Sequence, residues 1–425
     1  MNSITKLESC IEPVVKLLFD FFDSRIASSP GKVNLSVWLR FFASDAVGKL
    51  AVRWFSYFLS LGLWSNHKTT CPTSTSILKY QFGSNFNFLV LGSDPNRLQL
   101  AFLNLSYMGC VAGTLYRPFS TLAVRLMWRL SEATPKVIRE AATAKTNERF
   151  EQMRRNAGGS DNEDMLSGFI ACKRPKINEE QPDSKEGNDT LTRKEVAAQA
   201  SSVFGAGSDT TSGALNGFFY CILKHPRVYA KLMKEVDETY AELGFGPLDE
   251  AQDEASALKY AQGVKMEYFQ ACLKESLRLV TPIGMEMPRV VPEDGLSGVT
   301  VGTSAFVYHR TEGAYGNDAA EFRPERWLGL SEEDRAIMER NFLTFGAGST
   351  ACIGRNISLM EITKVIPPLL HRYWFRIPSE SPRTSQSPRR ELSGEYSPNA
   401  PWSIRCHWLF ETDDFWVEIS RRNPH

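Results

Sequence analysis

The sequence lacks an excess of either charge, a paired-cysteine motif and a long apolar run. Lysine plus arginine and aspartate plus glutamate each number 49, so the formal net charge is zero, which favours a mixed-sign surface over one that binds nucleic acid. The eight cysteines include no C-x-x-C pair, which argues against a zinc site or a disulfide framework and favours a reducing compartment. The apolar stretch 50–64 is interrupted by Arg53 and is shorter than the about 20 residues that cross a bilayer. No signal peptide is recognised.

What is present is typical of a folded, mainly α protein with a minor β part. Hydrophobic residues make up 42% of the 425 positions and charged residues 23%. Apolar spacing predicts helices over 8–22, 35–61 and 119–155, whereas the polar stretch 65–93 predicts a loop with room for one short strand at 86–91. The polar segment 156–190 is typical of a surface linker.

The second half of the chain carries clearer signals. Thr192 and Glu195 form a capping-box pattern that opens a helix to Lys224, where His225-Pro226 ends it. Further helices are predicted over 228–243, 264–279 and 354–371. Short β-like pieces are predicted at 288–291, 299–308 and 341–345, and a β-like end at 404–419. The segment 378–401, rich in serine, proline and arginine, is expected to be an exposed loop.

A glycine-rich turn surrounds Cys352. The stretch Phe345-Gly-Ala-Gly-Ser-Thr-Ala-Cys352-Ile-Gly354 leads into the predicted final helix, whose N-terminal N–H groups favour a thiolate. A thiolate in such a turn is a good ligand for a soft metal, and on haem iron it favours cleavage of the O–O bond. Taken alone, the pattern fits a glycine-rich turn with a buried structural cysteine better.

Two other motifs are ambiguous when each is considered alone. Glu275 and Arg278, at i,i+3 in a helix, would usually be a solvated surface pair, and Arg326 follows between aromatic residues in Phe-Arg-Pro-Glu-Arg-Trp. Within the predicted long helix, the run Ala206-Gly207-Ser208-Asp209-Thr210-Thr211 contains poor helix formers. Its side-chain oxygens could open a local bulge and relay protons, although a packing irregularity is the simpler interpretation.

In chain order, the motifs A-G-x-D-T-T, E-x-x-R, P-E-R-W and F-x-x-G-x-x-x-C-x-G resemble those of the cytochrome P-450 haem-thiolate monooxygenases. The chain is most similar to filamentous-fungal members of secondary metabolism, of the pisatin demethylase type. The resemblance implies one cytochrome P-450 domain over 1–425, incomplete at its N-terminus. It is strong over 192–376 and weak over the helical parts 1–64 and 94–155; 65–93 is divergent, 156–191 a linker and 378–401 an insertion.

The resemblance also implies roles for individual residues. Cys352 would be the axial ligand of the haem iron, with Phe345 packed near the sulfur and Gly348 and Gly354 closing the loop under the porphyrin. Asp209 and Thr210 would deliver protons to iron-bound oxygen, and Ala206 and Gly207 would leave room for dioxygen. Arg289 would face a haem propionate, and 281–287 would line an apolar substrate pocket in which Glu286 is the one charge. Glu275, Arg278 and Arg326 would form a buried ion-pair network.

The reaction implied is the insertion of one oxygen atom from O2 into an apolar organic substrate. The electrons would come from NADPH through a cytochrome P-450 reductase, and no nucleic acid would take part.

The chain departs from the family pattern in ways that lead to a second hypothesis. A membrane anchor and the W-x-x-x-R helix are not found before Glu195, Thr350 stands where the family carries Arg or His, and a strand between Leu296 and Val299 is missing. The family sits on the endoplasmic reticulum by its anchor, so this chain is expected to be cytoplasmic or membrane-peripheral.

These departures are what a mis-spliced or degenerate gene product would show. The alternatives are an impaired or inactive remnant that binds haem weakly, and a haem protein that isomerises or dehydrates without dioxygen. Asp209 and Thr210 argue against the last of these.

Overall fold

The structure is a computed structural model, in which the described residues are 2–28, 31–51, 88–94, 97–114, 122, 125–126, 133–155, 169–170, 172, 190–245, 258–292, 295, 298–378, 404–406, 409–412 and 415–422. Within these ranges the chain is mainly helical with a minor β part, so the predicted fold class is confirmed. None of the helices in these ranges combines the length and the apolarity that a membrane crossing requires.

Thirteen helices are labelled in the described ranges: α1 (Asn2–Ser28), α2 (Leu35–Ala51), α3 (Phe88–Leu91), α4 (Leu98–Thr114), α5 (Ala133–Arg155), α6 (Arg193–Lys224), α7 (Pro226–Glu242), α8 (Tyr260–Gly263), α9 (Glu267–Leu279), α10 (Ala305–Tyr308), α11 (Glu312–Tyr315), α12 (Glu332–Arg340) and α13 (Arg355–Arg372). The strands there are β1 (Lys32–Asn34), β2 (Arg289–Val290), β3 (Thr300–Val301), β4 (Tyr373–Arg376), β5 (Ile404–Cys406), β6 (Phe410–Thr412) and β7 (Trp416–Arg421). Short 3-10 turns lie at Pro324–Trp327 and Gly348–Thr350.

The start and end of α6 agree with the sequence prediction. The backbone N–H of Thr192 donates to Glu195 Oε2 over 2.7 Å, and the backbone N–H of Glu195 donates to Thr192 Oγ1 over 3.3 Å, which is the reciprocal capping box. At the other end Pro226 opens α7. The helix is continuous through 206–211, so the local bulge that those residues predict does not interrupt it.

Two β-like predictions are wrong and a third is correct only at its start, each for a tertiary reason. Near 86–91 the described residues form the helix α3, because the Asp45 carboxylate accepts from the backbone N–H groups of Phe88 (3.3 Å) and Leu89 (2.9 Å) at its start. In 299–308 only β3 is a strand, since the Ser304 hydroxyl caps α10. The stretch 341–345 is irregular, because its backbone groups bond to a histidine side chain and to the following loop rather than to a strand.

Other predicted segments match approximately or lie outside the described residues. The predicted helix over 264–279 begins later, at Glu267, where the Glu235 carboxylate accepts from Tyr268 N and Phe269 N. Much of 65–93, 156–190 and 378–401 lies outside the described residues, as does the part of 35–61 beyond Ala51.

The described residues fall into two compact units, Met1–Phe42 with Asp209–His425 and Ala43–Ser208. The expectation of one domain over the whole chain stays a prediction. In the second unit, Phe102 on α4 packs against Phe204 on α6 with ring centroids 5.2 Å apart. In the first unit, β7 lies between β1 and β4 in an antiparallel sheet.

The core of the first unit is organised around α13, which is buried continuously from Met360 to His371. The Lys364 ammonium on this helix is fully buried and pairs with the carboxylates of Glu8 (2.9 Å) and Glu12 (3.2 Å) on α1. Beyond it, His371 stacks on Tyr240 of α7 with centroids 4.0 Å apart. These contacts fix the middle and the end of α13 in the core, and the rigid helix in turn positions the segment at its start.

Candidate functional site

A cavity of about 440 Å³ lies in the first unit, beside the start of α13. Its wall combines residues of α6, of the segment after α9, of α10 and of the loop before α13, together with the first turns of α13 itself. Most of the side chains that the first two segments contribute are apolar or carry only a hydroxyl: Thr210, Thr211, Ala214, Pro282, Ile283, Met285 and Met287. Glu286, the charge predicted for the pocket, is exposed. The cavity therefore suits a large apolar guest.

Cys352 lies on this wall, at the end of a tightly turned loop. The backbone N–H of Cys352 donates to Phe345 O over 2.7 Å, so the loop closes on itself. Phe345 lines the same cavity, and the Arg355 guanidinium lies 5.5 Å from the centroid of its ring. Because α13 starts at Arg355, three residues after Cys352, the positive end of its helix dipole lies next to the sulfur-bearing residue and favours negative charge there.

The glycines of the loop serve different purposes. Gly346 and Gly348 have φ angles of +68° and +66°, a region that costs an L-residue about 1–2 kcal/mol. Gly354 has an ordinary helical backbone, and a Cβ there would lie 3.8 Å from Cys352 Sγ. Gly348 and Gly354 are the two glycines that the family pattern predicts for the loop closure, whereas the positive φ of Gly346 was not predicted.

The structure brings Glu275, Arg278 and Arg326 together in a buried ion-pair network. Glu275 and Arg278 are fully buried, and Glu275 Oε1 lies 2.8 Å from both Arg278 Nη2 and Arg326 Nε. The Trp327 indole N–H donates to Glu275 Oε2 over 2.9 Å. The network thus ties α9 to the 3-10 turn at Pro324–Trp327, and the pair is not the solvated one that the spacing alone suggests.

A buried histidine that the sequence analysis did not single out connects this network to the cysteine loop. His309 Nε2 accepts from the backbone N–H of Leu343 (2.8 Å), so Nδ1 carries the hydrogen and donates to Arg278 O (2.9 Å). Burial lowers the pKa of His309 to about 4, which keeps the imidazole neutral. Nearby, the Thr344 hydroxyl donates to Leu277 O over 3.0 Å, so the loop is held to α9 at two consecutive residues.

The four residues predicted on the long helix all lie on α6. Thr210 lines the cavity, and Asp209 beside it is half-buried. Ala206 is exposed. A Cβ at Gly207 would lie 2.7 Å from Val47 Cγ2 within the second unit, so close packing accounts for this glycine.

Charge on the cavity wall comes from Arg289, at the start of β2. Its Nη1 donates to Pro288 O over 2.9 Å, and the residue is exposed as well as lining the cavity. Thr350 lines the wall from the loop side. Thr350 occupies the position at which the family pattern has Arg or His. The wall therefore carries a neutral hydroxyl there instead of a second cation.

One acidic group behind the wall was also missed. Glu361 on α13 is fully buried, and its Oε2 lies 3.3 Å from the hydroxyl of Thr211, which lines the cavity. No local signal in the sequence marks it, because its partner is 150 positions away.

The comparisons with known proteins all match the chain to one family. The family model described as cytochrome P-450 matches residues 66–397. A cytochrome P-450 monooxygenase of Alternaria alternata is 30% identical over 90% of this chain and 91% of its own length, and one of Emericella nidulans is 28% identical over 97% and 71%. Pisatin demethylase of Fusarium vanettenii is 34% identical over 45% of this chain and 36% of its own.

A solved structure also resembles the chain. The crystal structure of a cytochrome P-450 haem domain matches with a TM-score of 0.67 and 17% identity, covering 99% of this chain and 74% of that one. At this level of identity the match is evidence for the fold alone.

Proposed function

The chain belongs to the cytochrome P-450 family, and we propose that it is a monooxygenase that inserts one atom of dioxygen into an apolar organic substrate, in which the Cys352 thiolate would hold the haem iron. Enzymes of this family carry a haem whose iron is bound by a cysteine thiolate. The observation that carries the proposal is the position of Cys352 on the wall of a largely apolar cavity, next to the start of a helix.

The residues of the cavity fit a thiolate-bound haem. The donor set offers one cysteine, which is the soft ligand that this chemistry needs. Gly346 and Gly348 have positive φ angles, which favour glycine over residues with a side chain. The loop therefore carries no side chain at these two positions. Arg289 supplies a cation at the wall for a carboxylate group. When bound, the haem supplies oxygen activation, which no side chain can provide.

The protein's own contribution to the reaction is positioning and proton transfer. Asp209 and the Thr210 hydroxyl lie next to each other on α6, where Thr210 faces the cavity, and we assign them the delivery of protons from the carboxylate through Thr210 Oγ1. The neutral His309 and the Glu275 network fix the cysteine loop against α9. The apolar wall excludes water from the reacting groups.

The substrate class is inferred from the same wall. Met285 and Met287 present unbranched, flexible apolar side chains, which adapt to irregular apolar shapes, and Ile283 adds a branched apolar side chain beside them. The fungal relatives, among them one named pisatin demethylase, support a role in secondary metabolism or in the detoxification of plant compounds. The electrons would be supplied by NADPH through a separate cytochrome P-450 reductase.

A second candidate is an impaired member of the family that binds haem weakly. The observation that favours it is Thr350, which places a neutral hydroxyl on the wall where a second cation would hold a propionate. A charged hydrogen bond contributes about 1.5–3 kcal/mol, so its loss weakens haem retention by roughly one to two orders of magnitude.

A carbon monoxide difference spectrum of the reduced, hemin-supplied protein tests both candidates. The proposed function predicts the Soret band of a thiolate-bound haem, its loss in Cys352→Ser, and an unchanged band in Cys172→Ser, in which an exposed cysteine is replaced. A colourless wild-type protein supports the impaired member. A band that survives in Cys352→Ser overturns the assignment of the ligand.

A further inference from the structure

The segment after α9 contributes every second residue to the cavity wall. Ile283, Met285 and Met287 line the cavity, and this alternation is that of an extended chain, in which successive side chains point to opposite sides. Gly284 lies between two of these residues and carries no side chain of its own. The space on its far side is therefore open to another part of the protein.

The ring of Phe410, at the start of β6, fills that space. A Cβ at Gly284 would collide with Cε2 and Cζ of Phe410 and would lie 3.1 Å from its Cδ2, whereas carbon atoms in favourable contact are about 3.5–4.0 Å apart. The φ angle of Gly284 is not in the positive region. Glycine is needed here because the ring approaches the backbone closely.

The backbone of Phe410 is held to the same segment. Its N–H donates to Pro282 O over 2.9 Å, and Leu409 and Ile283 form an antiparallel bridge. On the other side, a Cβ at Gly213 of α6 would lie 3.4 Å from Phe410 O. Phe410 is thus enclosed between α6 and the wall segment, so its backbone has little room to move away.

Two further residues support the ring from behind. Phe306 of α10 packs on Phe410 with ring centroids 5.2 Å apart, and the Arg310 guanidinium lies 3.7 Å from the centroid of the Phe306 ring. Arg310 is itself fixed, because it donates to Phe306 O (2.8 Å) and to the O atom of Leu279 (2.7 Å), the last residue of α9. We call Phe410, Phe306 and Arg310 the wall strut.

We propose that the wall strut sets the depth of the cavity and thereby the size of the apolar guest that the cavity admits. A group added at Gly284 meets the strut on one side and the free volume of the cavity on the other, so the wall segment moves into the cavity. A smaller residue at position 410 lets the segment relax outward. The strut acts by positioning the wall, and its effect on a substrate rests on the proposed function.

Two haem ligands of different size test the strut in the haem-loaded protein. Imidazole and 4-phenylimidazole both bind haem iron through a ring nitrogen and differ by one phenyl group. The ratio of their dissociation constants, read from the shift of the Soret band, therefore reports the size of the cavity. We expect Gly284→Ala to weaken 4-phenylimidazole relative to imidazole by about tenfold, the lower end of what one methylene group changes in an apolar pocket.

Partial unfolding would weaken both ligands equally, so the ratio separates a change in cavity size from a loss of stability. The matched control is Gly313→Ala on α11, where a Cβ meets nothing within 4 Å and the ratio should stay as in the wild type. Phe410→Leu should shift the ratio in favour of 4-phenylimidazole, and this variant serves if Gly284→Ala does not fold. An unchanged ratio in Gly284→Ala or in Phe410→Leu overturns the proposal.

The contact itself is tested by combining the variants. In a protein that already carries Phe410→Leu, the effect of Gly284→Ala on the ratio should fall to about twofold or less, the range within which independent changes add, because the new methyl group no longer meets the ring. Arg310→Met should reduce the effect of Gly284→Ala as well, since Phe306 is then no longer held from behind. An effect of the same size in all three proteins overturns the strut.

The strut and the proposed function fail separately. NMR of protein labelled at the methionine methyl groups needs no haem, and the resonance of Met285, identified with Met285→Leu, should shift in Phe306→Leu and stay in place in Gly313→Ala. Such a shift in a protein without the carbon monoxide spectrum of a thiolate-bound haem supports the strut and removes the proposed function. That spectrum, together with an unchanged ratio and an unchanged Met285 resonance, supports the function and overturns the strut.

Discussion

Leu343 donates its backbone N–H to Nε2 of His309 over 2.8 Å. The same imidazole donates from Nδ1 to Arg278 O, and the Arg278 guanidinium in turn donates to His309 O over 2.6 Å. The segment that leads to Cys352 is thereby linked through one neutral ring to the buried ion-pair network. The segment 341–345, which leads into the cysteine loop, is irregular and is not held by strand pairing.

Replacement of His309 should loosen the cysteine loop. In His309→Leu the buried Leu343 N–H and Arg278 carbonyl lose their partner, at about 1–3 kcal/mol for an unsatisfied group. We expect a loss of that order in the free energy of unfolding, measured with urea, and a larger share of carbon monoxide complex without the thiolate signature. His309→Gln keeps a donor and an acceptor and should lose less. Equal losses in the two variants would argue against the hydrogen bonds as the cause.

The stability of the protein should fall as the pH is lowered from 6.5 towards 4. Burial holds the pKa values of both His309 and His371 at about 4 in the folded protein, below the usual 6.5. The unfolded chain therefore binds more protons in this window, and stability is complete above pH 6.5 and is lost as the pH falls through 4. Each imidazole contributes at most on the order of 1 kcal/mol per pH unit.

Urea unfolding at a series of pH values measures this dependence. His309→Gln should reduce the slope between pH 6.5 and 4. A slope that is the same in the variant would show that His309 is not the group responsible.

Glu275→Gln should be strongly destabilising. The carboxylate faces both Arg278 and Arg326 in a site closed to water. Its neutralisation removes the carboxylate that pairs with the fully buried Arg278 and leaves Arg326 with its other partner, Asp318, over 3.0 Å. Breaking a buried pair costs about 3–5 kcal/mol. Glu238→Gln is the matched control, because Glu238 pairs with Lys234 over 3.6 Å on the exposed face of α7 and should change stability by about 0.5 kcal/mol or less. Urea unfolding of the two variants measures the difference, and similar values would contradict the prediction.

Thr350→Arg should strengthen haem retention. The new guanidinium would stand on the cavity wall beside the loop, where a charged hydrogen bond to a propionate contributes about 1.5–3 kcal/mol, equivalent to a roughly tenfold or greater slowing of haem loss. The transfer of haem to apomyoglobin measures that rate. Thr350→Gln adds length without charge and should leave the rate nearly unchanged, so a gain in both variants would point to packing instead.

Local patterns were sufficient to find the parts of the site that depend on neighbouring residues. The capping box at Thr192, the i,i+3 pair of Glu275 and Arg278, and the glycines around Cys352 are short-range signals, and the structure places each on the predicted element. His309 and Glu361 gave no such signal. Their hydrogen-bond partners, Leu343 and Thr211, lie 34 and 150 positions away, and only the packed structure brings these pairs together. The same holds for α3, whose start depends on Asp45 from a distant helix.

The central position of β7 has a consequence for synthesis. Residues 416–421 pair with 32–34 on one side and with 373–376 on the other, and Arg421 holds the Asp23 carboxylate over 2.7 Å. These residues are synthesised after β1, β4 and the first helix, so those elements lack their shared neighbour until residues 416–421 have left the ribosome. A nascent chain that stalls before Trp416 would leave the facing edges of β1 and β4 open, and such edges are where chaperones or aggregation partners would attach.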